Sequence, residues 1–86
     1  MGQAEKLIKR FCDKPKDFTY DELRTMLKSM GYEEVQGKGS GVKFIDRNIK
    51  HVINLHKPHP GNIIKGYLLN QIKEKLEEVG KLWATY

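Results

Sequence analysis

The apolar residues of this chain recur with two different spacings, and the spacing changes twice along the sequence. Near both ends they recur every three or four residues, which is typical of one face of a helix. In the middle, apolar and polar residues alternate, which is typical of a strand. The apolar stripes of the two end segments are Ala4, Leu7, Ile8 and Phe11, and then Leu68, Leu69, Ile72, Leu76 and Val79.

The segment after the first stripe carries a complete helix start signal. Thr19 and Glu22 have the spacing of a capping box, in which each side chain accepts a hydrogen bond from the other residue's backbone N–H. Gly31 is a typical residue for ending a helix. These signals predict a helix over Tyr20–Met30, and a separate helix over Gln3–Phe11 precedes it.

Three strands are predicted between the helices. They cover Tyr32–Lys38, Val42–Ile45 and Ile49–His56, with a turn at Asp46–Asn48. The last helix begins near Lys65. This order predicts an α+β fold, in which two helices cover one face of a three-stranded antiparallel sheet. The α-β-β-β-α layout is that of the double-stranded-RNA-binding fold, here with an extra N-terminal helix.

Size and composition limit the classes of protein that need be considered. With 86 residues, 38% of them hydrophobic, the chain suits one small domain, and we predict a single domain over residues 1–86. No apolar run approaches the roughly 18 residues of a membrane span, so no membrane partner is expected. Cys12 is the only cysteine, and no secretory segment is recognisable, so a reducing cytoplasm is the expected location.

The net charge of +5 comes from one part of the chain. The segment from Gln36 to Tyr67 holds six basic residues and a single acidic one, Asp46, whereas the remaining charges cancel. A basic segment of this kind is typical of a surface that binds a polyanion such as nucleic acid, and the alternative is a solvated lysine-rich face. The basic residues are Lys38, Lys43, Arg47, Lys50, Lys57 and Lys65.

All three histidines fall in the same segment. The alternation predicts that His51 points inward with the apolar residues, as a packed residue, and that His56 points outward. His56 and His59 form an H-x-x-H pair without a third ligand nearby, so no metal site is predicted. Beside lysines, such a pair suits proton transfer in phosphate chemistry, and the alternative is that both histidines only pack the loop. Tyr67 and Trp83 flank the last helix, and they are interpreted as core or edge packing residues rather than as platforms on which bases stack.

The stretch "QGKGSGVKF", Gln36–Phe44, places three glycines beside two lysines. It lacks the spacing of a P-loop and precedes a strand rather than a helix, so a helix N-terminus around a phosphate is excluded. Ser40 has no recognisable histidine and acid partners, so a serine hydrolase is not indicated. A glycine-rich hairpin turn and an active-site loop remain as alternatives.

Four stretches in this order resemble the HicA toxins, also called YcfA-like proteins: "LKSMGYEEV", "GKGSGVKF", "LHKPHPGN" and "IIKGYLLNQIKEKLEEVG". The resemblance covers a core of about residues 19–82 and leaves out the helix of about residues 3–11. It implies the double-stranded-RNA-binding fold and a toxin that cuts messenger RNA without a metal or other cofactor. It also implies a HicB-like antitoxin as partner.

The resemblance places the family's catalytic histidine, within a Gly-Ser-His motif, at Gly41. Three explanations of the glycine stay open. The catalytic chemistry has moved to His56 and His59, or the chain is an RNA-binding module without catalysis, or the histidine was replaced deliberately. An acidic antitoxin covering the basic segment is compatible with each of them. In the endoribonuclease hypothesis His56 and His59 transfer protons, and the RNA-binding residues are Lys38, Ser40, Lys43 and Lys57.

Overall fold

Three helices and a three-stranded antiparallel sheet form the fold of the computed structural model. The structure describes residues 3–13, 15–39, 41–58 and 61–81. The three strands pair in sequence order, as expected for consecutive hairpins, and the predicted α+β, double-stranded-RNA-binding-like class is confirmed. The elements are α1 Gln3–Cys12, α2 Tyr20–Ser29, β1 Glu33–Gln36, β2 Gly41–Asp46, β3 His51–His56 and α3 Gly66–Glu78.

The start of α2 forms as its local sequence predicts. The Thr19 hydroxyl accepts a hydrogen bond from the Glu22 backbone N–H at 3.1 Å, and the Glu22 carboxylate accepts one from the Thr19 N–H at 3.0 Å. Arg10 of α1 donates to the same carboxylate at 2.8 Å and holds the pKa of Glu22 below its ordinary value. The capping box therefore also fixes α1 against α2, and α2 ends at Ser29, one residue before the predicted end.

The strands divide their side chains between two faces. Val42 and Phe44 of β2 pair across the sheet with Leu55 and Ile53 of β3, and all four are buried under the helices. The intervening residues, such as Lys43, point to the other side, which no described element covers and which we term the open face. Because successive side chains of a strand point to opposite sides, the sheet has a core face and an exposed face.

The connection between β2 and β3 differs from the predicted one. The strand residues extend through Asp46, and the turn occupies residues 47–50 rather than 46–48. Lys50 has a φ of 55°, a left-handed conformation that ends regular pairing and delays the start of β3 to His51. The predicted start at Ile49 was therefore wrong, and Ile49 lies in the turn with 48% of its surface exposed.

The irregular segment between β3 and α3 is fixed to the start of α2. The Ile64 N–H donates to the Phe18 carbonyl at 2.8 Å, and the Tyr20 N–H donates to the Asn62 carbonyl at 2.7 Å. Ile64 is buried in the same core as Phe18, while Leu69 and two further α3 residues pack from the other side. These contacts set the position at which α3 begins. No helix in the described part of the chain is long and apolar enough to cross a bilayer.

Candidate functional site

Two histidines lie opposite very different residues at the two ends of the β2–β3 ladder. His51 pairs across the strands with Asp46, and His56 pairs with Gly41. Side chains of directly opposed residues in such a ladder are neighbours, about 4.5–5.5 Å apart at Cβ. The two pairs lie on opposite faces of the sheet, because five residues separate the histidines along an alternating strand.

The Asp46–His51 pair is part of a hydrogen-bonded cluster beneath the helices. Tyr32 is buried, and its hydroxyl lies 2.6 Å from His51 Nδ1. Lys81 donates to the Asp46 carboxylate, which lowers the pKa of Asp46, and donates to the Met30 carbonyl at 2.6 Å. Burial, followed by the negative charge of Asp46, raises the pKa of Tyr32 to about 12. The prediction that His51 points inward is confirmed, and its contacts are structural.

The glycine-rich turn between β1 and β2 contains glycines of two kinds. Gly39 has a φ of 64°, which favours glycine, and a Cβ on Gly37 would lie only 3.1 Å from the Gly41 carbonyl oxygen. Gly41 has no such requirement, because its φ is not positive and, among the described residues, a Cβ would meet only the Lys38 carbonyl oxygen, at 3.4 Å. The hairpin therefore accounts for Gly37 and Gly39 but not for Gly41.

A cleft of about 310 Å³ lies over Gly41 on the open face. His56 lines it from the opposite strand, and Lys38, Lys43 and Asn54 line it from the sides. None of the described residues around this Gly41 cleft is acidic, so its field is positive. The missing side chain at position 41 thus leaves space beside an exposed imidazole and two ammonium groups.

A second cleft, of about 320 Å³, lies on the other side of His56. It is lined by Lys57, Lys65 and the ring of Tyr67, and we term it the Tyr67 cleft. Tyr67 is 59% exposed, so the expectation that it packs against the protein was wrong. Trp83 lies outside the described residues. His56 is therefore common to both clefts, which together cross the end of the sheet.

The structure brings together four of the residues that the sequence singled out. His56 and Lys57 follow one another at the end of β3, and Lys38 and Lys43 flank the facing turn. The remaining predicted residues, Ser40 and His59, lie outside the described residues. The described part of the chain contains no group of three or more His, Cys, Asp or Glu side chains with metal-site geometry.

The basic segment is not one continuous patch. Arg47 lies in the opposite turn and forms an ion pair with Glu33 at 2.5 Å. Asn54 was missed by the sequence interpretation, although it stands two residues before His56 on an alternating strand and so shares its face. Lys65 was counted in the basic segment but was not proposed as an RNA-binding residue, because the loop before α3 has no period that would indicate its direction.

Residues 20–80 match the model of the family described as "HicA toxin of bacterial toxin-antitoxin". The matched range includes α2, the whole sheet and α3, and therefore both clefts, and it leaves out α1. No curated protein and no solved structure matched the chain significantly.

Proposed function

This chain belongs to the HicA toxin family, and from that premise we propose that it is an endoribonuclease that cuts messenger RNA without a metal. Its family makes it the toxin of a toxin–antitoxin system, and a system of that kind implies an antitoxin partner. We further propose that the partner is HicB-like, that it covers the basic clefts, and that the toxin acts in the cytoplasm.

The observation that carries the proposal is His56, exposed between two basic clefts and facing a residue without a side chain. A neutral imidazole there would take the proton of a ribose 2′-hydroxyl. The 2′-oxygen then attacks the adjacent phosphorus, the bond to the 5′-oxygen breaks, and that oxygen leaves with a proton from a second acid. The products are a 2′,3′-cyclic phosphate and a 5′-hydroxyl.

The other proposed residues act on the charge of the phosphate and on the leaving oxygen. Lys38 and Lys43, at the Gly41 cleft, would neutralise the extra negative charge that develops on the phosphorane. Lys57, next to His56, and Ser40, which precedes Gly41 in the sequence, would contact the RNA backbone. His59 is the proposed donor to the 5′-oxygen.

A second candidate is an RNA-binding module without catalysis. The observation that favours it is Gly41 itself, at the position where the resemblance puts the family's catalytic histidine. Because the backbone at position 41 accepts a side chain, the absence of one is not imposed by the fold. A pure binder would hold RNA through phosphate and 2′-hydroxyl contacts and lose affinity steeply with salt.

Cleavage of an end-labelled messenger RNA in EDTA tests the proposal. The wild-type protein is expected to cut, and His56→Ala is expected to cut about 100-fold more slowly or worse, because general acid–base catalysis supplies 10²–10⁴ in rate. Gly41→His is the matched variant for the alternative. If wild type binds the RNA without cutting it and Gly41→His does cut, the chain is a binder with a disabled site.

A further inference from the structure

The Tyr67 cleft combines an exposed aromatic ring with positive charge. Tyr67 lies in the first turn of α3, and Lys57 and Lys65 approach it from the loop before the helix. The neighbouring apolar lining comes from Pro58 and from Ile63, which is 43% exposed. Among the described residues that line the cleft, none is acidic. Its volume, about 320 Å³, is at the lower end of the range of ligand pockets.

The residues around this cleft are held by the core. Ile64, between Ile63 and Lys65, is 1% exposed and hydrogen-bonded to the Phe18 backbone. On the far side, the Lys57 ammonium lies 5.9 Å from the centre of the Tyr20 ring, a cation–π distance. The cleft is therefore fixed to the core, and the Tyr67 ring stands exposed at its edge.

We infer that the Tyr67 cleft holds one unstacked base of single-stranded RNA against the Tyr67 ring, with Lys57 and Lys65 on the flanking phosphates. This inference rests on the proposed function, since it assigns a substrate subsite next to the proposed catalytic His56. A base in this cleft would leave the next phosphate at His56, the side chain that both clefts share.

The chemistry of the lining favours RNA over an acidic protein. Acidic side chains would satisfy the lysines, but they offer no flat surface for the exposed ring. A nucleotide carries both a flat π-face and a negative charge next to it, and stacking of a base on an aromatic ring is largely independent of sequence. Bases inside a duplex are already stacked, so the ligand must be single-stranded or unpaired.

Equilibrium binding of a fluorescent RNA tests this inference. The probe is an oligouridine of about 10 nucleotides, within the span of small single-strand sites, with 2′-fluoro groups that remove the cleavage nucleophile. Tyr67→Leu, which keeps apolar bulk but removes the ring, is expected to weaken binding roughly 5- to 150-fold. Tyr67→Phe should bind within about twofold of wild type, because the stacking surface is retained. Gln71→Leu, exposed one turn later on α3, is the matched control and should bind like wild type.

A second probe carries one 2-aminopurine, whose fluorescence is quenched when it stacks. Quenching is expected with wild type and Tyr67→Phe and not with Tyr67→Leu.

If wild type binds and Tyr67→Leu binds equally well, the inference is overturned while the proposed function stands, and a protein partner becomes the better occupant. If Tyr67→Phe loses as much affinity as Tyr67→Leu, the hydroxyl and not the ring is required, which also overturns it. If wild type binds no RNA at all, the proposed function fails together with the subsite.

Discussion

His51 and His56 stand at opposite ends of one strand, and their surroundings differ in kind. His51 is half-buried, hydrogen-bonded to Tyr32, and opposite an Asp46 that is itself paired with Lys81. His56 is exposed, opposite a glycine, and lines two basic clefts. A histidine that is hydrogen-bonded to a buried tyrosine contributes to folding, whereas an exposed histidine beside open space and positive charge can contact a ligand.

The difference also shows where the fold tolerates change. Removal of a group from the Asp46–His51 end leaves a buried donor or acceptor unsatisfied, which is costly. At the Gly41–His56 end His56 is exposed, so a substitution there removes less buried surface. A substitution at the Asp46–His51 end is therefore expected to affect mainly stability, and one at the Gly41–His56 end mainly ligand contact.

The largest expected effect is that His56→Ala mainly lowers the rate of RNA cleavage, whereas His51→Ala mainly lowers stability. In the RNA cleavage assay, His56→Ala should lose about 100-fold or more in rate, and His51→Ala should stay within about threefold when it is folded. Chemical denaturation should give the reverse order. His51→Ala should lower the free energy of unfolding by about 1–3 kcal/mol, because the Tyr32 hydroxyl loses its partner, and His56→Ala, at an exposed position, should lower it by less.

Tyr32→Phe is the control for this comparison. It removes the hydroxyl that His51→Ala leaves unpaired, so the double variant should recover part of the lost stability. A folded His51→Ala protein that cuts RNA as poorly as His56→Ala would contradict the assignment of separate roles. Circular dichroism of each variant at the assay temperature establishes which of them are folded.

The second effect is a pH dependence to which Asp46 contributes, in addition to Glu22 at the start of α2. The hydrogen bond from Lys81 holds the pKa of Asp46 below its ordinary value, so the folded state binds a proton less readily than the unfolded chain. The resulting stabilisation is present above the unfolded pKa of about 3.9 and is lost as the pH falls through the lower folded pKa. Thermal melts of wild type should therefore drop on acidification, and Asp46→Asn should be less stable at neutral pH with a shallower drop.

Lys81→Met serves as the partner variant for Asp46. It removes the cause of the lowered pKa and should flatten the acid dependence as Asp46→Asn does. A Lys81→Met protein with the full acid dependence of wild type would show that the stabilisation has another source. His56→Ala, which lies at the other end of the ladder, should leave the acid drop unchanged.

Part of this fold can be predicted from the sequence alone. The capping box of Thr19 and Glu22 was predicted correctly because both partners lie within one helical turn. The alternation that sends His51 inward and His56 outward was predicted because strand geometry repeats every two residues. The start of β3 was missed because the left-handed conformation of Lys50 ends the pairing, and a lysine gives no sign of it.

The candidate site was less predictable than the fold. Gly41 faces His56 because of the register between β2 and β3. The turn and the core together determine that register. Tyr67 was misplaced because an apolar stripe identifies the buried side of a helix but not the contacts of its first turn. The loop before α3 is fixed by the hydrogen bond from Ile64 to Phe18, a contact between segments distant in the sequence.

The smallest effect concerns the glycines on the functional side. Gly39→Ala should lower the free energy of unfolding by about 1–2 kcal/mol, because its φ of 64° is unfavourable for a residue with a Cβ. Gly41→Ala should instead raise it by up to about 1 kcal/mol, since strand glycine costs backbone entropy and the added Cβ fits. The measurement is denaturant unfolding of both variants, combined with RNA binding of Gly41→Ala. If Gly41→Ala is more stable but binds RNA less well, the glycine is kept for the cleft and not for the turn. A destabilised Gly41→Ala would show that the hairpin itself requires glycine at this position.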